Sequence, residues 1–231
     1  MTVLNTNRTP GRWAAAGLVA ASLAFGPGMA RAEIGAVIYD ACSNAVTSTS
    51  PAFDQLGTAG WSLLRSYDAQ VQSLLAAGIL ASMATDRNTP LDWASARPLA
   101  EDAAGTLLEV AEIGAAKGYT FGDPITAVLV VSGLPAQGGY KVLHCVAAGD
   151  LSAGFSDYAA KLRAADQSAG LTQATPGLEL FNIRAQSKTE TDPPKTIATD
   201  ATLGLYDLAA GPFNTPPAAS AGLSLYRYTQ E

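Results

Sequence analysis

Apolar positions recur with two different periods along this chain, and the change of period falls near Gly118. Over residues 33–46, Ile34, Val37, Ile38, Ala41, Cys42 and Ala45 return at helical spacing and predict a first helix with one buried stripe. Ser50-Pro51 offers an N-cap followed by proline at the first helical position, predicting a helix over 51–58 that Gly60 stops. Leu63, Leu64, Tyr67, Val71, Leu74 and Leu75 continue the apolar periodicity, and 69–83 is rich in helix formers. After a polar break at 86–90, a further helix is predicted over 95–110, with Pro98 near its start. Gly114 and Gly118 end the helical region.

Beyond that point the chain reads as strands. Residues 125–131 are β-branched and bounded by Pro124 and Gly133, and 140–147 follows a Gly/Pro loop, which is a hairpin pattern with a longer connection. Residues 155–165 predict an amphipathic helix. Three more strands are expected at 178–185, 202–208 and 223–228, with loops at 186–195 and 212–217. Helices first and strands after, locally connected, predict an α+β fold. The expectation is N-terminal helices packed on a mainly antiparallel sheet of about five strands formed by the C-terminal half, in one domain over 33–231. Two domains meeting near Gly118 are the alternative.

Residues 1–32 fall outside both patterns. Arg8 and Arg12 precede an uncharged apolar run of twelve, 14–25, which Gly26-Pro27-Gly28 breaks before Ala30-Arg31-Ala32. That order is the signature of a cleaved secretory leader, with Glu33 as the mature start. The run is short of the about 20 apolar residues of a spanning helix, so an export signal rather than an anchor is expected, with a periplasmic or secreted product. Loss of Arg8, Arg12 and Arg31 leaves 11 basic against 20 acidic residues, a net charge of −9. An acidic chain with no basic run lacks the footprint for phosphate backbones, which argues against nucleic acid.

Only two cysteines are present, Cys42 and Cys145, and an even count in an exported chain predicts a bridge. Such a bridge would pin the first helix to a strand. Closing a loop of about a hundred residues contributes about 4 to 5 kcal/mol through chain entropy. His144 is the only histidine, and as Cys145's neighbour on a strand it points to the opposite face, so the two cannot form a thiolate–imidazole pair.

Chemical motifs are sparse. The nucleophile-elbow pattern is absent, and Ser132-Gly133 and Ser152-Ala153-Gly154 read as turn pieces. No P-loop or dinucleotide fingerprint occurs, and Gly138-Gly139 precedes a strand and reads as a flexible turn. Glu101-Asp102, and Glu109 with Glu112, read as the solvated face of a helix. No metal or cofactor is expected. A catalytic site, if assembled at all, would centre on His144 with a carboxylate such as Asp150 or Asp207. Trp61 and Trp93 read as boundary packing, whereas Tyr226 and Tyr228 share one face of the last strand and are a candidate contact surface on its face or edge, with Arg227 between them. The expectation is a non-enzymatic exported accessory or protein-binding module acting on an envelope partner. The alternatives are a hydrolase-like enzyme built around His144 and a small-ligand carrier.

Overall fold

The computed structural model describes residues 34–65, 67–83, 93–150, 173–175, 177–190, 192–206 and 219–231. The leader, the helix expected at 155–165, the loop at 212–217 and Asp207 lie outside the described residues.

The first apolar stripe forms α1, Ile34–Asn44, with Ile34, Ile38, Ala41 and Cys42 buried and Ala45 continuing the stripe just beyond it. A 3₁₀ turn, Pro51–Phe53, leads into α2, Asp54–Thr58. Helix α3, Ala69–Met83, is buried on nearly every side from Leu74 to Ala81, as expected of a helix enclosed between two other layers. Helix α4, Trp93–Glu112, packs over it.

The strands are β1 Trp61–Leu63, β2 Ala116–Phe121, β3 Ala127–Gln137, β4 Tyr140–Gly149, β5 Gln173–Thr175, β6 Leu178–Lys188, β7 Thr196–Tyr206 and β8 Ala221–Gln230. They form one sheet in the order β1-β2-β3-β4-β8-β7-β6-β5, antiparallel at every pairing. The fold is α+β with an antiparallel sheet, with eight strands among the described residues rather than the expected about five. The five expected strands are all present and longer than predicted. Residues 61–63, grouped with a helical run in the sequence, pair instead with β2, and Gly118 lies inside β2 rather than closing the helical half. Strand β6 takes residues 186–188 of the segment expected to be a loop, leaving 189–195 as the tip, and β7 begins at Thr196, six residues before the strand expected at 202.

Two four-stranded meanders, β1–β4 and β5–β8, therefore meet along the β4–β8 pairing, from Tyr140↔Gln230 to Gly149↔Ala221. The last strand of the chain is a central one. Both edge strands are only three residues long, which limits the unpaired backbone available to another chain.

Helices cover both faces of the sheet rather than one. Leu129, Val131, Leu143, Cys145, Ala147, Leu203, Leu223 and Leu225 face α1 and α2, together with Phe53 and Leu56. Val128, Val130, Val146, Ala148 and Leu180 face α3 and α4. Residues 127–132 of β3 are all buried for this reason, giving the continuous apolar run of a strand covered on both sides.

Helix α3 runs across the strands, not along them. The Gln70 side chain donates to the Ile125 carbonyl just before β3 (3.3 Å), Gly78 lies on β4, Ala77 on β8 and Ala81 on β7. Residues 70–81 cover about 16 Å of helix, close to the roughly 14 Å spanned by four adjacent strands. Glycine makes the approach possible: a Cβ on Gly78 would stand 2.6 Å from the Ala147 carbonyl oxygen, and one on Gly222 would overlap the carbonyl of Ala77.

Candidate functional site

Helix α3 lies over one end of the strands, and a second set of residues stands toward the other end of the same face. Strand alternation and register determine which residues stand there. Below the row covered by α3, on the same face, lie Val130, Val146, Ser224, Thr202 and Asn182; the next row is Ser132, His144, Tyr226, Asp200 and Arg184. Apolar side chains thus give way to polar ones along each strand.

Three rings form a ladder in this region. His144 and Tyr226, directly opposite each other on β4 and β8, stack with centroids 4.1 Å apart and planes within 6°. Tyr228 continues the stack at 6.4 Å. All three are half-buried. His144 Nε2 shares a hydrogen bond with the Ser224 hydroxyl (3.1 Å), and the Thr202 hydroxyl donates to the Asn182 side-chain oxygen (3.4 Å). Ser132, the cross-strand neighbour of His144 on β3, is 3% exposed, and its hydroxyl has no hydrogen-bond partner. Asp200 and Arg184 close the row as an exposed ion pair of 3.6 Å.

Burial sets the charge state of the cluster. It holds the imidazole of His144 down from its ordinary 6.5 to about 4, so the ring is neutral at neutral pH. It also raises the phenol of Tyr226, aided by Tyr228 and partly offset by the Ser224 hydroxyl, and raises that of Tyr228, with Asp200 adding to the effect. The buried groups are consequently uncharged donors and acceptors, with formal charge confined to the rim.

The residues singled out from sequence separate into three places. Cys42 and Cys145 are joined, with Cα atoms 6.3 Å apart across a sequence separation of 103, and the bridge fastens α1 to β4. His144 is on the opposite face from Cys145, as the alternation requires. Tyr226 and Tyr228 are beside His144, but β8 is flanked by β4 and β7, so the contact surface they offer is a face and not an edge. Arg227 between them points the other way, 5% exposed, and its guanidinium donates to the carbonyl of Ser43 at the end of α1. A cation there suits the negative end of the helix dipole.

Asp150 is not paired with His144. It follows the end of β4, six residues on, roughly 20 Å away along extended chain. The carboxylate nearest in register is Asp200, two strands from His144 with Tyr226 between them. Glu101 bonds Arg97 on its own helix (2.8 Å), while Asp102, Glu109 and Glu112 are exposed. Ser132-Gly133 lies within β3, not in a turn, whereas Gly138-Gly139 does turn the β3–β4 hairpin with φ of 56° and 82°. Trp61 is buried against Phe121. Ser132, Ser224, Thr202, Asn182, Asp200 and Arg184 had no motif to mark them; the one available signal was the alternation Ser224-x-Tyr226-x-Tyr228.

The arrangement can hydrogen-bond and pack, but it is not a triad. Ser224 is 2% exposed, which keeps its hydroxyl from an incoming carbonyl, and among the described residues no carboxylate bonds the imidazole to orient it. Among the described residues no group of three or more His, Cys, Asp or Glu could hold a metal ion, and no helix is long and apolar enough to cross a membrane. A groove of about 340 Å³ beside edge strand β1 is lined by Ser62, Leu63, Leu64, Arg65, Thr120 and Ile125. Comparison with protein-family models, curated proteins and solved structures finds no match.

Proposed function

We propose that this chain is an exported, non-enzymatic binding module that engages a component of the cell envelope through the half-buried His144–Tyr226–Tyr228 ladder on the α3-side face of its sheet. The observation that carries this reading is the His144–Tyr226–Tyr228 ladder, half-buried beside a buried hydroxyl without a partner. Core tyrosines and histidines bury their rings and satisfy their polar atoms, whereas rings held upright in a row and partly open to solvent are suited to contact. The leader pattern and the Cys42–Cys145 bridge support an oxidising compartment outside the cytoplasm.

Co-sedimentation of the exported protein with an isolated envelope fraction tests the reading. Wild type should be retained, and the double variant Tyr226→Ala, Tyr228→Ala should be released while still melting cooperatively. Equal retention of both proteins, or none of either, would overturn the proposal. Intact mass adds a check on export: the mature chain should begin at Glu33 and gain two hydrogens on reduction.

One contact favours a second reading. The His144–Ser224 hydrogen bond is the geometry of a base beside a hydroxyl nucleophile, so a hydrolase would use this pair after an opening that exposes Ser224. Covalent labelling of Ser224 by an organophosphonate, abolished in His144→Ala, would support that enzyme over the binding module.

A further inference from the structure

We infer that the outer edge of β6, from Asn182 to Lys188, binds an extended acidic peptide of another protein, which joins the sheet as a further antiparallel strand. The inference goes beyond the reading of the ring ladder and concerns a different surface.

Strand β5 offers little backbone of its own, and for the same reason it covers little of β6. It pairs only with Leu178, Glu179 and Leu180, whereas β6 continues along β7 to Lys188 without a register shift. Hydrogen bonds fix which backbone groups are left over. The Thr189 N–H donates to the Lys195 carbonyl at 2.8 Å, so Ile183, Ala185 and Ser187, on the same alternation, turn their N–H and C=O groups towards β7. Asn182, Arg184, Gln186 and Lys188 turn theirs outward, where no strand among the described residues meets them. Access is direct, since residues 184–188 are exposed one after another.

The matching stretch at the other side of the sheet is protected. Beyond Ser132, β3 also outruns its outer neighbour β2, but its register shifts between Leu134 and Gln137, and Pro135 has no N–H to offer. Proline and irregular register are devices that keep a sheet edge from pairing. Between Leu180 and Lys188, β6 has neither proline nor glycine nor bulge.

The side chains along this edge select the occupant. Alternation places Arg184 and Lys188 on the α3-side face and Ile183 and Ala185 on the α1-side face. Arg184 is 75% exposed and meets Asp200 only at 3.6 Å, and Lys188 forms no ion pair among the described residues. No acid lies on β6 from Leu180 to Lys188. Both cations are within reach of carboxylates on an added strand. Run antiparallel, that strand sets residue i against Lys188 and i+4 against Arg184, while i+3 and i+5 meet Ala185 and Ile183 on the other face. The fitting segment carries acids at i and i+4 and apolar side chains at i+3 and i+5. A second copy fits poorly: two β6 edges paired antiparallel would crowd both sets of Arg184 and Lys188 onto one face.

Residue-resolved amide hydrogen exchange of the exported, oxidised protein with the end-blocked peptide TETTVEVT tests the inference. Exchange at Arg184, Gln186 and Lys188 should slow by about tenfold once the peptide stands at about ten times its dissociation constant. N-methylation of both glutamates, whose amides face β6, should abolish the protection, and N-methylation of both valines, whose amides face away, should preserve it. The counterpart TKTTVKVT should bind about tenfold more weakly, from two surface charge pairs reversed. Gln186→Pro removes an outward N–H without touching the β6–β7 ladder and should abolish binding at unchanged melting temperature, whereas Gln186→Thr should bind as wild type does. No protection, equal protection by the lysine peptide, or equal protection by the glutamate-methylated peptide would each overturn the inference. Concentration-dependent slowing of the same amides without peptide would overturn it in favour of a second copy. The double variant Tyr226→Ala, Tyr228→Ala should bind the peptide unchanged, so the edge and the ladder are judged separately; loss of binding there would move the peptide onto the rings and overturn the edge assignment.

Discussion

The two faces of this sheet are closed by different means. On one, α1 is short, strongly one-sided and fixed covalently to β4 through Cys42–Cys145, with Arg227 reaching through to the end of the helix. On the other, α3 has no covalent tie and is held by close packing and by the hydrogen bonds of Gln70 to Ile125 and of Tyr206 to Ala77, its Ala77 and Gly78 backbone lying directly on Gly222 and β4. A bridge tolerates imperfect packing, because the link survives small adjustments around it. A backbone-to-backbone contact does not, because nothing flexible lies between the two surfaces. The second arrangement also sets the position of the helix on the strands closely.

The bridge carries the largest single effect. Replacing both cysteines, Cys42→Ala with Cys145→Ala, should cost about 4 kcal/mol through the freed loop, read from the denaturant midpoint at unchanged slope. A loss below about 1 kcal/mol, outside the usual 2–5 kcal/mol for a native bridge, would mean that α1 is held by packing as α3 is, and the contrast between the faces would fail.

Gly222→Ala tests the other face. The new methyl would collide with the carbonyl of Ala77, a backbone atom that moves only if the helix moves. Overpacking of this kind costs about 3 kcal/mol, and lifting α3 should also quicken hydrogen exchange in residues 74–81. The same substitution at Gly133, where an added Cβ meets no atom within 4 Å, should cost far less. Equal effects at the two glycines would show that α3 does not sit where the geometry puts it.

These contrasts also show what the sequence could and could not reveal. The bridge was legible because each cysteine carried its own local pattern: Cys42 in a stripe of period 3.6, Cys145 in an apolar strand. The five longer strands were legible for the same reason. Strand β1 was not, because three residues are too short to display a period, and Trp61 to Leu63 merged with the helix that follows. Strand β2 was hidden by Lys117 and Gly118, where the missing side chain makes room for Leu64. Of the site, His144, Tyr226 and Tyr228 stood out as residue types, yet nothing local could join them. Their meeting depends on β8 entering between β4 and β7, a pairing between positions some eighty residues apart. The His144–Asp150 pairing weighed for the alternative, enzymatic reading does not form for the complementary reason: six residues along an extended strand are distance in space.

The imidazole on the α3-side face gives a smaller, pH-dependent signature. Burial holds His144 at about 4 in the folded protein against 6.5 for the free side chain, so the unfolded chain takes up its proton first. Stability should be insensitive to this group above pH 6.5 and should fall as the pH drops from 6.5 towards 4. His144→Gln should flatten that interval of the melting-temperature profile relative to wild type. A profile unchanged by the substitution would place the ring in free contact with water and weaken the account of a partly closed site.

The smallest effect separates the two ends of the α3 face. Beneath the helix, the Tyr206 hydroxyl is fully committed, donating to the Ala77 carbonyl at 2.5 Å, and Tyr206→Phe should cost about 1 kcal/mol, the net worth of a buried hydrogen bond. Toward the other end of the face, Ser132→Ala removes a hydroxyl equally deep in the sheet but without a partner, and should cost nothing or stabilise slightly. The two substitutions delete the same kind of atom from similarly buried strand positions, so a difference between them reports pairing alone. If Ser132→Ala proves as costly as Tyr206→Phe, the serine is already satisfied in the free protein. If it is free of cost, this end of the face carries a buried polar group that folding does not use.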